Sequence, residues 1–133
     1  MAKAIAVHNS LWAAGTLRAD MTETEKAKVY YKWLCDNCVY DAAATDHSVS
    51  HLAYGALCNG KGVCDGYTGA YNLLLKLEGI ACYALANDSH IWTVATLDGA
   101  DVHIDTTWGD SGAAVDYRYF AMSAQRSWQV HPW

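Results

Sequence analysis

Basic residues are scarce in this chain and proline is almost absent. Nine Lys and Arg stand against fourteen Asp and Glu, a formal charge of -5 with a sequence pI near 5.5. Binding a phosphate backbone needs a stripe of cations, so nucleic acid is not an expected partner, and anionic membranes are disfavoured for the same reason. A single proline, with 53% hydrophobic and only 17% charged residues, is not the composition of a disordered or linker-rich chain. No apolar run approaches the ~20 residues that cross a bilayer, and Met1 to Gly15 has neither a long hydrophobic segment nor a convincing cleavage pattern. The chain reads as soluble, with a secreted or cell-surface setting expected ahead of a cytoplasmic one. Repeats, linkers and a second domain are missing too, so one ordered domain over residues 1–133 is expected.

Cysteine is plentiful by contrast: Cys35, Cys38, Cys58, Cys64 and Cys82. The odd count suits two structural pairs plus one reactive thiol, and it suits five free thiols equally well. Cys35-x2-Cys38-x8-His47-x3-His51 has the outward form of a zinc site. Its middle spacing is shorter than the ~12 residues of the finger pattern, and both cysteines fall inside an expected helix. No acidic loop has calcium-ligand spacing either. No metal and no cofactor are expected.

Thr22-Glu23-Thr24-Glu25 has the form of a capping box, and Ala27, Tyr30, Tyr31, Leu34 and Cys38 follow at helical spacing, predicting a helix to about Tyr40. A loop from Asp41 to Ser50 leads to a brief apolar segment, Leu52 to Leu57. Asn59-Gly60-Lys61-Gly62 is then a turn that delivers Val63-Cys64-Asp65-Gly66-Tyr67 to the start of a second helix, which Gly79 stops. Three strands are expected after it, Ala81 to Ala86, Ile91 to Leu97 and Ala100 to Thr107. The last two are joined by the hairpin dipeptide Asp98-Gly99. Helices followed by strands give an α+β class with a small antiparallel sheet. The aromatic tail from Tyr117 to Trp133 is expected to pack on the body.

Cysteine attacks as thiolate, and a helix N-terminus stabilises that anion with unpaired N–H groups and the helix dipole. Cys64 has this placement. Asp65 opposes it, so a cationic partner is called for, and Gly62 and Gly66 leave room beside the sulfur. A two-residue loop at Asp98-Gly99 pairs Leu97 with Ala100 and, counted back, Trp92 with Asp105. His90 then lies diagonal to Asp105 on the same face, where neighbours ~7 to 8 Å apart can meet. Asp105 would fix the imidazole tautomer and leave the second ring nitrogen for the thiol proton. His103 shares that face and is a rival base. His8, His47, His51 and His131 have no comparable geometry and read as surface or core residues.

These residues fall into three ordered segments. Tyr54 to Tyr67, a glycine-lysine turn leading to Val63-Cys64-Asp65-Gly66-Tyr67, resembles the nucleophile segment of bacterial transglutaminase-like proteins. Ser89-His90-Ile91-Trp92 resembles their histidine segment and Val102 to Trp108 their aspartate segment. Trp33-Leu34, Tyr40-Asp41, Tyr119-Phe120, Ser123 and His131 extend the similarity over most of the chain. The departure is Ile91, where the group often has alanine; it removes no catalytic group. The resemblance implies a papain-like, transglutaminase-like core with Cys64 on a helix and His90 and Asp105 on adjacent strands, working through a thioester.

Such a site would act on a peptide or protein substrate, as a cysteine protease or amidohydrolase. Transfer of the acyl group to an amine, as in a protein-glutamine transglutaminase, and a non-catalytic peptide-binding module on the same fold are the alternatives. The backbone N–H of Cys64 is the first oxyanion donor expected, with the Tyr54 hydroxyl or the Asn59 amide as the second. Trp92 and Trp108 either wall the cleft or serve as packing.

Overall fold

The computed structural model describes residues 1–133. Its first helix, α1 (Ala2–Ala13), has no counterpart in the sequence periodicity, because it buries only Ala4 and Val7. Polar contacts anchor it. Trp12 Nε1 donates to Glu78 Oε2 at 2.9 Å, the oxygen that also accepts the Tyr30 hydroxyl at 2.7 Å and lies 3.1 Å from His8 Nε2.

Helix α2 (Glu23–Asn37) starts where the capping box places it, with Thr22 Oγ1 accepting from the Glu25 N–H and Glu25 reaching back to the Thr22 N–H. Asp98, at the tip of a distant hairpin, adds a second cap by accepting from the N–H groups of Glu23 and Thr24. The helix ends three residues earlier than its spacing suggests. Cys38 is extended, and Val39 and Tyr40, residues that suit a pleated strand, form strand β1 (Val39–Tyr40). This strand pairs in parallel with β2 (Lys61–Gly62), opposing Tyr40 to Gly62. A 3-10 turn (Val49–His51) and a π-helical turn (Gly55–Asn59) occupy the connection.

Helix α3 (Cys64–Leu77) follows, burying Tyr67, Ala70, Tyr71, Leu74 and Leu75 against α2 and the sheet. The sheet runs β3 (Cys82–Ala86), β4 (Ile91–Leu97), β5 (Ala100–Ile104) in antiparallel order. Leu97 pairs with Ala100, and Asp98 and Gly99 both take positive φ, 51° and 86°, as a type I′ turn demands. β5 is shorter than the sequence suggests. Asp105 leaves the ladder to cap the short helix α4 (Thr106–Gly109), accepting from the Trp108 N–H. After a 3-10 turn (Tyr117–Tyr119), the chain pairs with β5 through Met122 and His103 and ends in α5 (Ala124–Val130). The α+β class and small antiparallel sheet are therefore as expected.

Buried tyrosines tie these layers together. Tyr30, Tyr31, Tyr67 and Tyr71 are fully buried, and each hydroxyl has a partner: Glu78, the Asp116 carbonyl, Asp110 and the Ala27 carbonyl. An unpartnered buried hydroxyl costs roughly 1–3 kcal/mol, so the Tyr31 and Tyr67 bonds fix where Asp116 and Asp110 lie, and the Tyr30 and Tyr71 bonds tie α2 to α3 and to Glu78 at its end. All five cysteines are free thiols. Cys35 points to the Thr106 carbonyl and Cys82 to the Asn72 carbonyl, which leaves no structural pair.

Candidate active site

Cys64 is the first residue of α3, and the preceding Val63 has no side-chain acceptor with which to cap it. The N–H groups of Cys64 and Asp65 therefore have no side-chain cap from Val63, while that of Gly66 donates to Asp65 Oδ1 at 3.1 Å. Gly66 serves packing rather than substrate room: a methyl group there would collide with the Ser50 carbonyl, the acceptor of the Val63 N–H. Asp65 turns away to His51, whose Nδ1 lies 2.9 Å from Asp65 Oδ2. The like charge beside Cys64 is thus offset by a histidine that the sequence marked only as surface or core. Burial opposes a charged His51 less than the Asp65 hydrogen bond favours it, so its pKa rises.

His90 stands just before β4. Asn87 sets it there by accepting from the His90 N–H at 2.8 Å. Its Nε2 lies 2.7 Å from Asp105 Oδ2, which assigns the proton to Nε2 and leaves Nδ1 as the free ring nitrogen. Asp105 is fully buried, and its other oxygen accepts the Trp108 N–H at 3.1 Å. Burial works against a charged His90, but Asp105 first and then Cys64 outweigh it and push its pKa up to about 9. Burial also opposes the Asp105 carboxylate. The neighbouring His131 and His90 rings nonetheless hold its pKa below the ordinary range.

Trp108 lies on His90 with ring centroids 4.6 Å apart and planes 10° from parallel. It is partly exposed and lines the cleft. Trp92 is fully buried and is packing: its Nε1 donates to His103 Nδ1 at 2.9 Å, and its ring carries that of His131 at 3.7 Å. Occupied at Nδ1 by that bond and with its pKa lowered by burial, His103 stands apart from Cys64 and the cleft.

A cleft of about 490 Å³ opens over this group, lined by Cys64, His90 and Trp108 together with Tyr40, Asp110 and Tyr119. Tyr54 and Asn59 are exposed and do not line it. Tyr54 precedes the π-helical turn and Asn59 ends it, whereas Tyr40, paired in parallel with Gly62, lines the cleft. Sequence reasoning marked Tyr40 only through the family resemblance and gave it no role, because that pairing joins residues far apart in the chain. His131 likewise had only the resemblance to mark it, although Ser127 and His131 carry a weak signal in their i, i+4 spacing. No group of three or more His, Cys, Asp or Glu side chains is disposed to hold a metal ion. Cys35 and Cys38 are buried away from His51, which is engaged with Asp65.

The family description "Transglutaminase-like superfamily" matches residues 11–133. The chain belongs to this superfamily. Among curated proteins it is similar to Kyphoscoliosis peptidase of Homo sapiens, 26% identical over 106 residues, and to the Mus musculus protein of that name, 23% identical over 106 residues. Each match covers 66% of this chain but only 16% of the relative, so the chain spans a small part of their length. Among solved structures, one described as a TGase superposes with a TM-score of 0.66 at 15% identity over 80% of this chain and 31% of that one. A candidate cysteine protease from Cytophaga hutchinsonii superposes at 0.51 and 17% identity, over 74% of this chain and 34% of that one. These likenesses show the transglutaminase-like fold.

Proposed function

We propose that the chain is a thiol-dependent acyl-transfer enzyme, a transglutaminase-like cysteine hydrolase that cleaves peptide or glutamine carboxamide bonds through a thioester on Cys64. Residues 1–133 form its catalytic core, and its substrates are peptides or proteins. The observation that carries this reading is the 2.7 Å contact of His90 with the buried Asp105 at the edge of a cleft that also holds Cys64.

The thiolate of Cys64 attacks the carbonyl carbon, forming the C–S bond while the carbonyl pair moves to oxygen. The Cys64 N–H, at the open start of α3, donates to that oxyanion, and the Tyr40 hydroxyl is the second donor assigned here in place of Tyr54 or Asn59; such a donor is worth about 3 kcal/mol. The imidazolium of His90 protonates the departing amine as the C–N bond breaks. A water then gives its proton to His90 and its oxygen to the acyl carbon, and the thiolate leaves. Asp105 holds the ring throughout, with Nε2–H toward itself and Nδ1 toward the chemistry.

Hydrolysis is favoured by the names of the relatives, two of them peptidases and one structural neighbour a candidate cysteine protease. Amine transfer is the second reading, supported by the carboxylates of Asp110 and Asp116 on the cleft wall, which suit a cationic amine. A diverse peptide library incubated with and without a primary amine separates the two. Cleavage or deamidation that vanishes in Cys64→Ala is the expected outcome, and amine incorporation would select transfer. No turnover by the folded wild-type protein would point to a non-catalytic peptide-binding module.

A further inference from the structure

The C-terminal segment is locked onto the site rather than laid over the body. Met122 exchanges both backbone hydrogen bonds with His103 at 2.8 Å, the Asp105 N–H donates to the Tyr119 carbonyl at 2.9 Å, and Asn87 Nδ2 donates to the Pro132 carbonyl at 2.9 Å. These bonds carry His131 beneath the sheet face beside Asp105. Its ring stacks on Trp92, and its Nδ1 lies 3.1 Å from the Ser127 hydroxyl one helical turn earlier. Both His131 and Ser127 are buried.

That leaves His131 Nε2 buried with no hydrogen-bond partner. The carboxylate oxygen facing it is Asp105 Oδ2, 3.4 Å away but out of line for a hydrogen bond. Native interiors rarely leave such an atom unpaired. Rotation of the ring on the Trp92 face would align it, and an ionised carboxylate oxygen has a lone pair to spare beyond the one taken by His90.

We propose that His131 is a second imidazole on the Asp105 carboxylate, a positioning residue whose Nε2–H tautomer, set by Ser127, holds Oδ2 in line for His90. The proposal rests on the cysteine-enzyme reading of Cys64. In this arrangement the Ser127 hydroxyl donates to Nδ1, Nε2 carries the proton, and Asp105 is held from three sides by Trp108, His90 and His131. The titratable groups around this cluster are Cys64 from α3, His90 before β4, His103 from β5, and Tyr31 and Cys35 from α2. Burial raises both α2 groups, Cys35 to about 12, so they stay neutral through the range tested. Burial lowers the pKa of His103.

The test is the pH profile of Cys64 alkylation by iodoacetamide on the full chain, in wild type, His131→Phe and His131→Gln. Phenylalanine keeps the stacking on Trp92 without the donor, whereas glutamine restores an N–H near the position of Nε2. A donor lost from Asp105 makes its ionised form less stable, so the acid limb should move up by about one pH unit in His131→Phe and return toward wild type in His131→Gln. A purely packing role predicts the reverse, with phenylalanine silent and glutamine disruptive, and that result would overturn the proposal. Nitrogen NMR of the wild-type rings gives a readout that needs no variant to fold. A neutral His131 protonated at Nε2 is expected, and one protonated at Nδ1 overturns the proposal. If His90→Ala leaves Cys64 alkylation unchanged in the otherwise wild-type chain, the enzyme reading fails first, and that result is distinct from a silent His131→Phe.

Discussion

The carboxylate of Asp65, next to Cys64 in the chain, is engaged by His51, whose Nδ1 lies 2.9 Å from Oδ2 and whose Nε2 lies 2.9 Å from the Thr45 carbonyl. The pair offsets a negative charge beside Cys64. A unit charge ~4 Å away is worth about 1 kcal/mol in water-like surroundings. His51→Ala should therefore slow alkylation of Cys64 about 2- to 10-fold, most at low salt, and Asp65→Asn in the same background should restore the rate. Stopped-flow alkylation of the single and double variants checks this.

The stacking of Trp108 on His90 places a ring face against an imidazolium, a contact worth about 1–2 kcal/mol when partly desolvated. Trp108→Ala should lower the alkylation rate of Cys64 roughly 5- to 30-fold, and Trp108→Phe by less. Iodoacetamide is the suitable probe because it is too small to depend on the cleft wall. Equal rates in all three proteins would remove Trp108 from the account of His90.

Stability should fall on both sides of a plateau. His90 is raised, so its contribution is complete below its ordinary value of about 6.5 and is lost as pH climbs through about 9. Asp105 is lowered, so its contribution is complete above an ordinary value of about 3.9 and is lost as pH falls through its depressed folded value. Urea midpoints across pH should therefore decline above about 6.5 in wild type, and that alkaline decline should flatten in His90→Gln.

Asp98 joins the hairpin to α2, accepting from the Glu23 and Thr24 N–H groups while its own N–H donates to Glu23 Oε1. Asp98→Ala loses the cap and puts alanine at a φ of 51°. Together these should lower the unfolding midpoint, and Asp98→Asn, which tolerates that φ, should lower it less. Chemical denaturation measures both.

The His90–Asp105 contact is legible in the sequence because one local feature, the Asp98-Gly99 turn, fixes the register of every residue in the hairpin. Cys64 at a helix start is legible from its turn and the periodicity beyond it. The place of Tyr40 and His131 at the site is not, because each reaches it through pairing with a remote segment, Gly62 in one case and His103 in the other. Tyr54 and Asn59 are the opposite case: near Cys64 in the chain, they flank and end a π-helical turn that no spacing rule announces, and they are exposed and outside the cleft lining. Helix α1 is silent since polar contacts to Glu78, rather than an apolar stripe, hold it down.

Cys58 is exposed whereas Cys64 is only partly so, which makes the two thiols direct competitors. At pH 6 an ordinary thiol, with a pKa near ~8.5, is almost wholly protonated and slow. The decisive measurement is mass-spectrometric mapping of limited iodoacetamide modification at pH 6, in wild type and His90→Ala. Modification at Cys64 ahead of Cys58, reversed when His90 is removed, is the outcome expected of a thiolate paired with His90. Cys58 modified first in both proteins would contradict it.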